Sequence, residues 1–338
     1  MKILILAGGT GTRLRPVSTQ TSPKQFLKVD GEVSMLQMTV ERVLSLVQTP
    51  KDILISTHID YVDLILNDLS WYDISRDQII TEPAKKNTWP AIALAIAYLY
   101  EHYQANDDEI VLSVHADQII APNQTFVAYV KGAMELASQW NIVTFGINPT
   151  APETWYGYIQ VDMTHVGEFG QPIQQFVEKP DMETAKAYIA SGNYYRNSGT
   201  FMFPLKKTVE ELRTHTPELA GYIDKGYTNF YDTYADVSSI AIDVALMEQT
   251  TIWYVVPMHI QWSDVGSRDS MYAIGTKDAS ENVVSWDVTL QNVHGSLVRS
   301  TTTPIKINDI DNILVVEDEA GIYITKKSKS QWVKKLLG

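Results

Sequence analysis

The chain of 338 residues contains no cysteine, which excludes disulfides and every metal site built on thiolates. It has no run of about 18 consecutive apolar residues, so nothing in it is predicted to span a membrane. The opening Met1-Lys2-Ile3-Leu4-Ile5-Leu6-Ala7 carries one basic residue and a short apolar stretch. It reads as a buried first strand rather than a signal peptide. With no cysteine and no leader, a cytoplasmic location is expected. Positive charge is scarce as well: 27 Lys and Arg face 40 Asp and Glu, a net charge of −13. A nucleic-acid binder shows a basic face, so no polynucleotide partner is expected. An anionic small substrate stays open, because a few local cations and a carboxylate-held metal can override the global field. Disorder-prone tracts are lacking too, since hydrophobic residues make up 45% and charged residues 20%. Such a chain can bury one large core and a smaller second one.

What is present first is a rhythm. Apolar strands are predicted at 2–7, 53–56, 78–81, 110–114 and 142–146, and helices at 33–47, 61–69, 89–103 and 125–138. That alternation implies an α/β fold: a Rossmann-like mixed, mostly parallel sheet flanked by helices. Past residue 150 the pattern becomes mixed, with strands at 158–161, 173–177 and 253–260 and helices near 182–191, 205–215 and 242–249. Short strands follow at 283–285, 288–290, 297–299, 313–316 and 321–324, closed by a lysine-rich helix near 330–337. The reading is a catalytic domain over 1–275 and a small β-rich domain over 276–338, β-helix-like although its repeats are irregular.

The loudest local feature is the loop Ala7-Gly8-Gly9-Thr10-Gly11-Thr12-Arg13, directly after the first strand. Glycines there let backbone N–H groups approach a phosphate or a base, at the strand end where open α/β sheets bind ligands. On its own the loop also reads as a plain tight turn. It has neither the dinucleotide Gly-x-Gly-x-x-Gly spacing, which weakens a nicotinamide oxidoreductase reading, nor the Gly-Lys-Ser/Thr end of a P-loop.

Its continuation decides more. Gly9-Thr10-Gly11-Thr12-Arg13-Leu14-Arg15-Pro16 followed by Pro23-Lys24-Gln25-Phe26 resembles the signature of the nucleoside-diphosphate-sugar pyrophosphorylases. Glu82-Pro83 with Asn87-Thr88, Tyr156-Gly157, Phe176-Val177-Glu178-Lys179-Pro180, Asn197-Ser198-Gly199, Ala241 to Glu248 and Trp262-Ser263-Asp264-Val265-Gly266 resemble further segments of its mannose-1-phosphate guanylyltransferase branch. The resemblance runs along almost the whole chain and implies the nucleotide-diphospho-sugar transferase fold. It implies transfer of GMP from GTP to α-D-mannose 1-phosphate, giving GDP-mannose and pyrophosphate. Residues Ala7, Gly8, Gly9, Thr10, Gly11 and Thr12 would wrap the nucleotide, with Arg13 and Lys24 as the catalytic cations. Glu82, Asn87 and Thr88 would face the base. Tyr156, Gly157, Glu178, Lys179 and Asn197 would hold the sugar phosphate. Asp117 and Asp264, each as readily a helix cap when taken alone, are placed by the resemblance on one Mg²⁺, whose preference is for oxygen ligands completed by water and phosphate.

His115 is given no catalytic role, although it neighbours Asp117. Two departures, Trp89 and Trp155, stand where the family has small residues; each could reshape a pocket or pack away from it. Another NTP or another sugar 1-phosphate, such as a manno-heptose or fucose, stays open, and so does a silent regulatory subunit. Retention of Arg13, Lys24, Asp117, Lys179 and Asp264 together speaks against the last. The chain is shorter than relatives that add a phosphomannose isomerase, so a single activity is expected. A homodimer is compatible with the resemblance.

Overall fold

The computed structural model describes residues 1–9, 11, 14, 18–19, 21–28, 33–164, 167, 169–250, 253–266, 268–285, 287–300, 302–318 and 321–329. The predicted helix over 330–337 lies outside them. The first half alternates: β1 (Lys2–Leu6), α1 (Met35–Leu44), β2 (Ile53–His58), α2 (Val62–Asp68), β3 (Ile79–Glu82), α3 (Thr88–His102), β4 (Ile110–His115), β5 (Ile119–Ala121), α4 (Asn123–Ser138) and β6 (Ile142–Ile147). Then come β7 (Tyr158–Val161), β8 (Gln171–Val177), α5 (Met182–Ser191), β9 (Tyr194–Pro204), α6 (Leu205–His215), α7 (Pro217–Asp224), α8 (Tyr227–Thr233), β10 (Trp253–Met258), β11 (Gln261–Ser263) and α9 (Arg268–Ile274). Six short strands end the described chain: β12 (Val283–Ser285), β13 (Val288–Gln291), β14 (Leu297–Arg299), β15 (Ile305–Asn308), β16 (Ile313–Asp318) and β17 (Gly321–Lys326). Among the described residues no helix is long and apolar enough to cross a membrane.

Contacts divide the chain into two compact units. One comprises Met1–Gly8, Val40–Ala116 and Ile120–Trp262; the other comprises Gly9–Thr39, Asp117–Ile119 and Ser263–Gly338. The first is built on a nine-stranded sheet of order β3-β2-β1-β4-β9-β6-β10-β8-β7. From β3 to β4 every pairing is parallel. β9 then runs antiparallel to both β4 and β6, and β8 antiparallel to β10 and β7. The sheet is therefore more mixed than predicted, although all strands except β8 and β9 still point one way. Antiparallel neighbours need only short connections, which is how the chain joins β7 to β8 without a crossover helix.

Helix α3 lies at the centre of this unit's core. Asn87 caps it with a carbonyl accepting from Thr88 N–H, and Pro90 sits in its first turn. Every residue from Trp89 to Leu99 is buried, as expected of a helix that is apolar all round. Trp89 is fully buried in that core, and its indole N–H donates to Thr216 Oγ1 at 3.0 Å. It packs inward and does not turn to solvent. The helix predicted over 242–249 is instead a five-residue π-turn, Asp243–Met247, because Glu248 N–H bonds the carbonyl of Asp243, five residues back.

The second unit has its own apolar cluster, which includes Leu14, Leu27, Met35, Val265, Val283, Leu297 and Leu314. Parallel rungs run through it: Val283 pairs with Leu297 and Leu297 with Leu314, while Val288 pairs with Ile305 on a second ladder. Buried Glu317 anchors the turn beside these rungs. It accepts from Ser300 Oγ at 2.7 Å, from Thr302 N–H and Oγ1 at 2.8 Å each, and from Thr303 N–H at 3.1 Å.

Candidate active site

Strand β1 runs into the glycine loop with its pairing to β2 extended by one more bond, from Ala7 N–H to the carbonyl of Ser56 at 2.7 Å. Gly8 is then half-buried and Gly9 exposed. Thr10, Thr12 and Arg13 lie outside the described residues. The Ser56 hydroxyl donates to Glu82 Oε1 at 3.0 Å, and Tyr234 donates to Glu82 Oε2 at 3.1 Å. Glu82 is therefore a buried carboxylate with both oxygens occupied by protein donors. Burial raises its pKa to about 7, against the opposing pull of those two hydrogen bonds. Burial and the neighbouring carboxylate in turn push Tyr234 upward. Asn87, at φ +72°, is held in the cap of α3. Thr88 Oγ1 accepts from Ile242 N–H at 3.0 Å. All three residues predicted to face the base thus carry bonds to the protein itself.

In the second unit Lys24 sits on a short 3₁₀ turn, Lys24–Phe26, after Pro23. Its side chain is only 5% exposed, and its ammonium pairs with Asp117 Oδ2 at 2.7 Å. It also donates to the main-chain carbonyl of Asp264. The lysine thereby gathers Asp117 and Asp264 from far apart in the sequence. Gly11, at φ +63°, is close enough that a Cβ on it would lie 2.5 Å from Lys24 Cβ. Only glycine fits that loop against that lysine. Asp264 is followed by Val265 at φ +45°, a conformation that costs a β-branched residue about 1–3 kcal/mol. Two forces hold it: Val265 is fully buried, and Gly266 N–H donates to Asp264 Oδ1 at 3.0 Å. The two carboxylates are hard oxygen donors. No cluster of three or more metal-ligating side chains exists among the described residues. A pair of this kind suits a divalent cation that keeps water and substrate oxygens as its other ligands.

A third cluster forms in the first unit where β7, β8 and β9 meet. Asn197 N–H bonds the carbonyl of Gly157 at 2.8 Å. A Cβ on Gly157 would lie 2.8 Å from Glu178 Oε2 and collide with the Phe176 ring. The glycine is what lets the Glu178 carboxylate lie against this strand. Glu178 Oε1 pairs with Lys179 at 2.7 Å, the lysine being 58% exposed. Lys179 adopts φ +47° immediately before Pro180, and Asp181 then caps α5 by accepting from Thr184 N–H at 2.8 Å. The turn from β8 into α5 therefore fixes where the ammonium can reach. Asn197, although Asn-Ser-Gly is a composition that favours turns, lies within the eleven-residue strand β9. Its amide is held by Thr144, Gly199 and Asp243. Tyr156 packs edge-on against Trp262, and the Arg196 guanidinium lies over both rings. Trp155 points outward, 59% exposed.

The model of the nucleotidyl transferase family matches residues 2–281. This chain belongs to that family. As a nucleotidyltransferase it is 36% identical, across 98% of its length and 72% of the relative's, to a mannose-1-phosphate guanylyltransferase of Klebsiella pneumoniae. A mannose-1-phosphate guanylyltransferase of Escherichia coli K12 is 35% identical across 99% of this chain and 72% of its own length. Among solved structures, a mannose-1-phosphate geranyltransferase from Thermus thermophilus superposes with a TM-score of 0.87 at 26% identity, covering 99% of this chain and 98% of that one.

Four residues of these clusters were not singled out from the sequence: Ser56, Thr144, Tyr234 and Asp243. Ser56 is a polar position inside an apolar strand and could have been flagged as such; Thr144 opens the segment Thr144-Phe145-Gly146-Ile147, which resembles part of the family's sugar-side loop but carries no assigned role. Asp243 lay in a family segment without a role, and nothing marks Tyr234.

Proposed function

We propose that the chain transfers GMP from GTP to α-D-mannose 1-phosphate, releasing pyrophosphate and forming GDP-mannose. The observation that carries this reading is the 35–36% identity, across nearly all of the chain, to proteins named for that reaction. A phosphate oxygen of the sugar attacks the α-phosphorus of GTP. The new P–O bond forms as the bond to the β-phosphate oxygen breaks, and pyrophosphate leaves with that electron pair. The attacking phosphate is already ionised near neutral pH, so the step needs no general base and no covalent enzyme intermediate. What it needs is positioning and cationic stabilisation.

Lys24 has three protons to donate; with two engaged by Asp117 and Asp264, the third is available to a phosphate oxygen. Arg13 is assigned the same task of offsetting charge on the leaving pyrophosphate. Lys179, the exposed ammonium, holds the phosphate of the sugar. Glu178 and Asn197 belong to the sugar side, Tyr156 and Gly157 shape it, and the segment from Glu82 to Thr88 serves the base. Asp117 and Asp264 would hold Mg²⁺, which supplies positive charge at the α-phosphate. In the same reading 1–275 forms the catalytic domain and 276–338 the small β-rich one, supported by the parallel rungs of the tail.

Pyrophosphate release measured across four NTPs and a series of sugar 1-phosphates tests the reading. GTP with mannose 1-phosphate should give the highest kcat/KM. A higher value with a heptose or fucose 1-phosphate would replace the sugar and keep the chemistry, and release with no pair would end the proposal.

A further inference from the structure

The sugar-side cluster holds one half-buried carboxylate, Asp243, to which no role has been given. Asp243 begins the π-turn Asp243–Met247, and such single π-turns are frequent at functional sites. Its Oδ1 accepts from Asn197 Nδ2 at 2.7 Å. That bond bears on what Asn197 can still do. Asn197 Oδ1 already accepts from Thr144 Oγ1 at 3.0 Å and from Gly199 N–H at 3.2 Å. Its amide nitrogen also contacts Met247 Sδ at 3.8 Å. An amide offers two acceptor positions and two protons, so Asn197 has no hydrogen bond left for a ligand. It acts as a strut between β6, β9 and the π-turn.

The free hydrogen-bonding capacity of this cluster lies instead with two carboxylates. Among the described residues no other residue donates a hydrogen bond to Asp243 Oδ2. Burial, with the nearby charge of Glu178 added to it, raises the pKa of Asp243 to about 6, opposed by a bond from its own backbone N–H, by Lys179 and by the Asn197 bond. Two like charges held together beside a single lysine, itself in a strained φ, are costly to keep for structure alone. Carboxylate acceptors with an exposed ammonium beside them match a polyol that carries a phosphate. The hydroxyls donate to the carboxylates, and the phosphate takes the lysine.

We propose that Asp243 is a specificity-determining residue of the sugar side, orienting Asn197 through Oδ1 and accepting a hydroxyl of the sugar 1-phosphate through Oδ2. This rests on the reading of the chain as a sugar-1-phosphate nucleotidyltransferase. The test is Asp243→Asn, which keeps shape and can keep the Asn197 bond while losing the charged acceptor. KM is measured for mannose 1-phosphate and its 2-, 3- and 4-deoxy analogues in both proteins, with thermal unfolding alongside. The variant should raise KM for the parent sugar by about 10- to 100-fold, leave KM for GTP within about twofold, and unfold no earlier than the wild type. One deoxy analogue should escape the penalty, since its missing hydroxyl is the one Asp243 binds.

Equal losses with all four sugars, or a KM for the parent unchanged within about twofold, would overturn the proposal and leave Asp243 as a strut for Asn197. Asp243→Ser, read in the same way, takes its place if the amide variant does not fold. If the wild type turns over another sugar 1-phosphate in preference, the deoxy series of that sugar is used, and only the identity of the substrate has failed. If it turns over none, the functional reading fails and Asp243 falls with it.

Discussion

Two regions of the molecule hold the same inventory, one lysine and two carboxylates, and use it in opposite ways. Around Lys24 the ammonium is buried and directly bonded both to Asp117 and to the backbone of Asp264. Around Lys179 the ammonium is mostly exposed and, among the described residues, paired only with its sequence neighbour Glu178, while Asp243 leans on a neutral amide. Both sets hold one more carboxylate than cation. In the first the ammonium is buried within the protein; in the second it stays open to solvent, beside carboxylate acceptors that a ligand with hydroxyls can satisfy. The lesson concerns substrate chemistry: a highly charged triphosphate with a metal suits a compact, pre-paired centre, and a sugar phosphate suits acceptors backed by one reachable cation.

The difference can be broken most sharply at Lys24. Lys24→Ala should lower the rate of pyrophosphate release by about three orders of magnitude, the scale on which a charge-stabilising group acts. It should also cost about 1–3 kcal/mol of stability, since a carboxylate loses its buried partner, with the half-exposed Asp117 keeping that figure low. Arg13→Ala should show a loss of similar order. Near-normal rates in either would remove the assignment of the pyrophosphate side. Asp264→Asn should then abolish the response to added Mg²⁺, and a magnesium titration superimposable on that of the wild type would contradict the metal role. Lys179→Ala should act on one substrate alone, raising KM for the sugar 1-phosphate roughly tenfold with little loss of stability, because the side chain is exposed.

The smallest effect is on stability, at Glu82. Its folded pKa is raised from 4.5 to about 7, so the folded state binds that proton more tightly than the unfolded chain does. Stability from this group therefore falls as pH rises from about 4.5 to about 7 and stays at its lower level above that. Glu82→Gln should flatten the melting curve over that window and melt roughly 2–4 °C above the wild type at pH 8. An unchanged slope would show that Glu82 is not the titrating group.

Much of this was legible in the sequence, and the limits are physical. The strands β1 to β4 and the helices between them announce themselves by apolar periodicity, and the lysines and aspartates of both clusters stand in recognisable segments. Pairing across distance is not written locally. Nothing in Pro23-Lys24-Gln25-Phe26 says that its ammonium meets Asp117 and Asp264, or that Tyr234 reaches Glu82. Asn197-Ser198-Gly199 reads as a turn because those residue types favour turns, yet flanking Tyr194, Tyr195, Phe201 and Phe203 carry it as a strand. The π-turn at Asp243 differs from an α-helix by one residue of register, which side-chain periodicity over so short a stretch does not resolve.

The division of labour between the two lysines is tested most directly by calorimetric binding. Mg²⁺–GTP and mannose 1-phosphate are titrated separately into the wild type, Lys24→Ala and Lys179→Ala. Lys24→Ala should lose affinity for the nucleotide and keep the sugar phosphate, and Lys179→Ala should do the reverse. Equal weakening of both ligands in either variant would contradict the account.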